Sequence, residues 1–225
     1  MKRKKLNLQR IIHRKDPISG RKPSYLIVFL HGYGANGADL FDLSNAFSNV
    51  MPDAYFLAPD APNDCAMSQL GKEWFPIEKI PLGAVDASKE FLDFIKKEAE
   101  KIDINLDKVI LIGFSQGSMM SLQSILMSEE KFCAVIGYSG GLQLPNIECC
   151  RNLIHDGKHI HSNTPVLLVH GEEDQVVPFE SLNLTKNILS NIGFDVKILP
   201  CPLLGHGINP EGISEGIEFL KNINS

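Results

Sequence analysis

Three short runs constrain this chain more than any other feature. KVILIG (108–113), FCAVIGY (132–138) and PVLLVHG (165–171) are almost wholly apolar for six or seven residues and then stop. Such runs are too short for buried helices and lack the alternation of a half-exposed strand, so they read as strands covered on both faces, as inside a parallel sheet. Helical stretches separate them. Phe91, Leu92, Ile95, Ala99 and Ile102 recur at helical spacing within 86–102, and residues 118–128 contain neither proline nor glycine, which predicts a helix over 116–128. A helix at 179–192, a strand at 194–200 and a final helix at 210–222 continue the series. Upstream, strands at 6–14 and 24–30 flank the turn-rich DPISGRKP and predict a hairpin. A glycine-rich loop, HGYGANG, then leads to a helix over 38–50 and a strand at 54–60, while 61–81 shows no period, is interrupted by proline, and reads as an excursion above the core. Strands alternating with helices imply an α/β fold, a mainly parallel central sheet with helices on both faces and a minimal cap, expected as one domain over 1–225.

In a sheet of this class ligands bind beyond the carboxyl ends of the strands. The pattern Gly-x-Ser-x-Gly occurs at GFSQG (113–117), GYSGG (137–141) and GISEG (212–216). A nucleophile elbow needs a buried strand leading in, a sharp turn, and a helix leading out whose first amides face the reacting atoms. Only GFSQG meets all three conditions. GYSGG is followed by Leu-Gln-Leu-Pro rather than a helix, and GISEG follows the loop GHGINPE rather than a strand, so Ser139 reads as a strand end and Ser214 as helix surface. Context therefore selects Ser115.

A serine hydroxyl is a weak nucleophile at neutral pH and needs a base, usually histidine, oriented by a carboxylate. In this fold the partners follow in the order serine, acid, histidine, each on a loop after a later strand. His206 lies in LLGHGINPEG, between the last predicted strand and the last helix, and suits the base; His13 precedes the core. His31 and His170 each end a strand in a His-Gly pair, where a structural role is expected. His155, His159 and His161 lie in NLIHDGKHIHSN with no regular element to hold them on one face, which argues against a metal site. The loop after PVLLVHG offers Glu172, Glu173 and Asp174 as the acid, and order along the chain does not rank them. Donors for an oxyanion, preorganised before charge develops, are expected from the backbone N–H of Gln116 and, in HGYGANG, that of Tyr33.

Together, FLHGYGANGADL, AYFLAPDAP with EWFP downstream, GFSQGSMMSL, GYSGGL, HGEEDQVVP and LPCPLLGHGI resemble, in that order, the phospholipase/carboxylesterase family of small α/β hydrolases. That family includes bacterial carboxylesterases and acyl-protein thioesterases, and the likeness runs from about residue 25 to 220. The resemblance implies Ser115 as nucleophile, Asp174 within Gly-x-x-Asp-x-Val-x-Pro as acid, His206 as base, and the amides of Tyr33 and Gln116 as oxyanion hole. It also implies that Trp74, with Phe75, lines the substrate pocket; core packing is the alternative. The activity implied is hydrolysis of a carboxylic ester or thioester, of a small molecule or an acylated protein, through an acyl-enzyme and with no metal or organic cofactor. Residues 142–163 and the basic start depart from the family pattern.

Charge and cysteine content bound the remaining function classes. Residues 1–22 hold nine of the 22 Lys and Arg and one of the 27 acids, so the rest carries 13 basic against 26 acidic residues. An acidic body argues against a nucleic-acid partner, and the arm reads as solvated charge around an edge strand. MKRKKLNLQR is not followed by the apolar stretch of a signal peptide and reads as an unprocessed N-terminus. The longest apolar run, Tyr25–Leu30, is far short of the roughly 20 residues that span a bilayer, so no stable membrane insertion is expected. Five cysteines at irregular spacing give neither a disulfide framework nor a zinc site and suit a reducing compartment, most simply the cytoplasm. Lipase, lysophospholipase or peptidase activity would use the same three residues; a binding module acting through the arm, and a homodimer paired through an apolar rim, are the readings from other classes.

Overall fold

The computed structural model describes residues 11–66, 68, 70–80, 82–142 and 163–224. The apolar runs become β6 (Val109–Phe114), β7 (Ala134–Tyr138) and β8 (Val166–Gly171). With β1 (Ile12–Lys15), β2 (Tyr25–Leu30), β3 (Ala54–Pro59) and β9 (Val196–Cys201) they form one sheet in the order β1-β3-β2-β6-β7-β8-β9. Every neighbouring pair is parallel except β1 with β3.

Side chains alternate between the two faces of a strand, and here both faces are core. Leu26, Val28, Leu111, Val135 and Leu168 face one cluster, and Ile27, Phe29, Ile112, Ile136 and Val169 face the other. The first is covered by α3 (Leu82–Lys101), α4 (Gln116–Met127) and α5 (Glu180–Asn191), through residues such as Phe91, Leu122 and Leu189. The second is covered by α1 (Gly37–Phe41), α2 (Leu43–Ser48) and α6 (Pro210–Asn224), through Leu40, Phe47 and Leu220. The helix expected over 38–50 is thus two short helices that meet at Asp42.

The hairpin expected between the first two strands does not form. β1 pairs with β3, Ile12 opposite Pro59 and Lys15 opposite Phe56, and β2 is inserted between β3 and β6. The reason is burial: YLIVFL is apolar on both faces and needs a partner on each side, whereas IHRK suits an edge. The intervening turn is held to the segment before β3 by Ser19 N–H to Pro52 O, Ser24 N–H to Asp53 O and the Arg21–Asp53 ion pair. Arg14 pairs with Glu98, Lys22 with Asp103, and Lys15 donates to Asn45 and Ser48. The described basic residues of this segment are therefore engaged with the body; residues 1–10 lie outside the described residues.

Among the described residues of the excursion, β4 (Asn63–Asp64) pairs antiparallel with β5 (Lys72–Glu73), followed by one 3₁₀ turn, Ile77–Lys79. This excursion crosses the carboxyl end of β2, where the glycine-rich loop emerges.

Candidate active site

The sharpest local feature lies between β6 and α4. Ser115 has φ 53° and ψ −117°, a conformation outside the ordinary regions for a residue with a side chain. Strain of this kind costs about 1–3 kcal/mol and persists only where the surroundings over-determine it. The surroundings do so. A Cβ on Gly113 would sit 2.3 Å from the Gly117 carbonyl oxygen, and one on Gly117 would sit 1.8 Å from that of Leu30, so both glycines are needed for the strand and helix to approach. Ser115 N–H donates to Tyr138 O at 2.9 Å, which ties the turn to β7. Gln116 opens α4, so its amide is among those with no partner within the helix and points out of the helix start.

The structure brings His206 and Asp174 to this serine. His206, between β9 and α6, places Nε2 3.0 Å from Ser115 Oγ and Nδ1 2.8 Å from Asp174 Oδ2. The carboxylate accepts, so the Nδ1 proton is donated to it and Nε2 is left to accept from the serine hydroxyl. Phe114 lies against the imidazole with ring centroids 5.0 Å apart. Asp174 follows β8; its Oδ1 accepts from the amides of Val176 and Val177 at 2.8 and 2.9 Å. Burial acts to raise the Asp174 carboxyl, but the bonds from His206, Val177 and Val176 outweigh it and hold the group below its ordinary value. Glu172 and Glu173 are exposed, so of the three candidate acids Asp174 is the one turned inward.

The loop HGYGANG is braced against this elbow. His31 is fully buried; its Nδ1 donates to Gly32 O at 2.8 Å and its Nε2 accepts from Ala61 N–H at 2.9 Å. Burial keeps the imidazole neutral, lowering its pKa. In a trans peptide C=O and N–H point in opposite directions, so fixing Gly32 O inward aims the Tyr33 N–H outward. A Cβ on Gly32 would lie 3.3 Å from Ser115 Cβ, which places this peptide beside the serine. The excursion fastens the loop from above: Gly34 N–H donates to Lys72 O, and Lys72 N–H donates to Ala35 O.

Trp74 and Phe75, for which the resemblance implies a pocket wall with core packing as the alternative, are buried, with 1% and 2% exposure. The indole packs edge-on against Phe91 and donates Nε1–H to His31 O at 2.8 Å, so ring and polar atom are both satisfied internally. Their backbone is clamped by the Gln116 side chain, whose Oε1 accepts from Trp74 N–H and whose Nε2 donates to Phe75 O, each at 2.8 Å.

Three features escaped sequence reasoning. His170 directs Nε2 at Val177 O (2.9 Å) and Asp174 Oδ2 (3.2 Å), adding a second imidazole behind the acid. Ser139 donates Oγ–H to Gly207 O at 2.9 Å. The Gln116 clamp was invisible because both of its partners are backbone atoms some 40 positions upstream. Only His170 left a local hint, standing four residues before Asp174. Ser214 lies exposed on α6, and His13 rests on β1 against Phe41. His155, His159, His161, Cys149 and Cys150 lie outside the described residues; Cys65, Cys133 and Cys201 are free and buried.

The sequence pattern of the phospholipase/carboxylesterase family matches residues 17–224. The chain belongs to this family. Among relatives, an acyl-protein thioesterase 1 of Gibberella zeae is 30% identical over 216 residues, covering 87% of this chain and 88% of its own length. Esterase YpfH of Escherichia coli is 25% identical over 202 residues, covering 87% and 82%. The crystal structure of esterase PE8 superposes with a TM-score of 0.84 at 32% identity, over 94% of this chain and 97% of that one. This member of the phospholipase/carboxylesterase family therefore has the α/β-hydrolase fold and is a hydrolase of the carboxylesterase and acyl thioesterase type. Among its described residues no helix is long and apolar enough to cross a membrane.

Proposed function

We propose that this protein hydrolyses carboxylic esters or thioesters with Ser115 as nucleophile, His206 as general base and acid, and Asp174 as the group that orients the imidazole. The observation carrying this reading is the unbroken hydrogen-bonded path from Ser115 Oγ through His206 to Asp174, at 3.0 and 2.8 Å. Ser115 Oγ bonds to the substrate carbonyl carbon while its proton passes to His206 Nε2. The imidazolium this creates is stabilised by Asp174, whose carboxylate is held ionised by three donors, His206 and the amides of Val176 and Val177. The carbonyl oxygen, now negative, is received by the amides of Tyr33 and Gln116, which need no reorientation at that moment. Collapse of the intermediate breaks the bond to the alcohol or thiol, which leaves with the proton from Nε2. A water then gives its proton to Nε2, attacks the acyl carbon, and frees the acid and Ser115.

Ester and thioester substrates share this path, because the developing oxyanion is the same and only the leaving atom differs. The relatives' names favour acylated proteins or small esters as substrates; a lipase, lysophospholipase or peptidase reading rests on the same three side chains. The test is Ser115→Ala assayed with a short aryl ester and an acyl thioester of equal chain length. Turnover of both is expected to fall by about three or more orders of magnitude, and parental turnover of both would refute the assignment.

A further inference from the structure

The sequence GYSGG takes no chemical step in the reaction proposed above, yet its serine is wired into the site. Ser139 follows β7, is fully buried, and has φ 47°, a left-handed conformation that glycine or asparagine ordinarily occupies. Its polar groups reach separate segments. The carbonyl before it, that of Tyr138, accepts the Ser115 amide at 2.9 Å. Its own amide donates to Val169 O on β8 at 2.8 Å. Its Oγ donates to Gly207 O at 2.9 Å, in the second peptide after His206. A Cβ on the next residue, Gly140, would lie 2.7 Å from the Ser115 carbonyl oxygen, so this corner is pressed against the elbow.

The His206 loop has need of such a tether. Glycines flank the histidine on both sides, and the nearest atoms to a Cβ on Gly205 or Gly207 would be 3.9 Å away, so neither position is closely packed. Packing holds the segment before the histidine, where a Cβ on Gly171 would lie 2.2 and 2.4 Å from the carbonyl oxygens of Leu204 and Gly205; just after the histidine, the Ser139 hydroxyl supplies a fixing contact at Gly207 O. A glycine would relieve the backbone strain at 139; a serine there adds a hydroxyl, and that hydroxyl reaches the loop of the base.

We propose that Ser139 is a positioning residue for His206: its hydroxyl holds the backbone after the imidazole in the register that keeps Nε2 within bonding distance of Ser115 Oγ. The proposal rests on the reading of His206 as general base. Ser139→Gly and Ser139→Ala separate positioning from mere stability, because glycine adopts φ 47° without strain whereas alanine does not. Each is made in the parent and in a His206→Ala background, with Tm, kcat and KM measured on a short aryl ester. Ser139→Gly is expected to keep or raise Tm while kcat falls about 10-fold and KM stays within about twofold, the scale of one lost hydrogen bond. Ser139→Ala should lose kcat alike and Tm besides. In the His206→Ala background Ser139→Gly should change the residual rate less than about twofold, because the group through which it acts is gone. Parental kcat in Ser139→Gly, or the same fold loss in both backgrounds, would overturn the assignment while leaving the general base intact. Parental kcat in His206→Ala would instead overturn the base, and Ser139's role with it.

Discussion

Gln116 offers a perturbation whose sign and size can be worked out in advance. Its side chain is buried and bonded to one backbone donor, Trp74 N–H, and one backbone acceptor, Phe75 O. Gln116→Glu preserves the shape and changes only the hydrogen inventory. A protonated carboxyl reproduces both bonds, with its O–H donating to Phe75 O; an ionised one turns a second acceptor toward that carbonyl and places a charge in the core. The folded variant therefore holds its proton well above the roughly 4.3 of an unfolded glutamate. Between those two values the folded state binds more protons than the unfolded state, so stability falls as pH rises, by about 1.4 kcal/mol per unit. If the carboxyl titrates above pH 7, as full burial permits, the variant loses about 2.7 kcal/mol relative to the parent between pH 5 and 7. Urea unfolding of both proteins at pH 5, 6 and 7 reads this directly, since titrations common to both cancel. The backbone amide of residue 116 is untouched, so folded variant at pH 5 should retain ester hydrolysis within about 10-fold of the parent. A stability difference that does not change with pH, or that shrinks as pH rises, would show that the clamp is open to water and would refute the reasoning.

Two further outcomes test the frame around the site. Gly117→Ala would place a methyl 1.8 Å from the Leu30 carbonyl oxygen, where backbone has no means of giving way; a loss of about 3 kcal/mol or more is expected, seen as a collapse of Tm or insoluble expression. His31, buried neutral with its pKa lowered, binds its proton on unfolding but not in the fold. Stability should therefore drop as pH falls from about 6.5 toward the folded value, by at most about 1.4 kcal/mol per unit, and His31→Phe should flatten that slope in urea melts between pH 7.5 and 5.5 even though it weakens the protein overall.

Much of the architecture was legible because it is written locally. An unbroken apolar run such as VILI can be buried on both faces of a sheet, and a serine flanked two residues either side by glycine, then followed by a good helix, admits few backbone paths. Those constraints act within about ten residues, so Ser115 could be selected over Ser139 and Ser214 without coordinates. The acid was harder: Glu172, Glu173 and Asp174 differ little in charge or position. Asp174 has a short side chain that bonds the amides two and three residues ahead, a turn-forming habit of aspartate that glutamate lacks, and this was the local cue available.

What the amino-acid sequence determined by itself is the strands of the central sheet and most of the helices between them, their order, and the elbow, since each follows from hydrophobic period and backbone freedom over a short span. Tertiary structure alone decided which strands pair, that Trp74 and Phe75 are buried, and which distant groups His31, Gln116, Ser139 and His170 bond. Those contacts join residues as far as 68 positions apart along the chain. A hydrogen bond between such residues leaves no trace in period or propensity, because it exists only once packing has brought its two ends together.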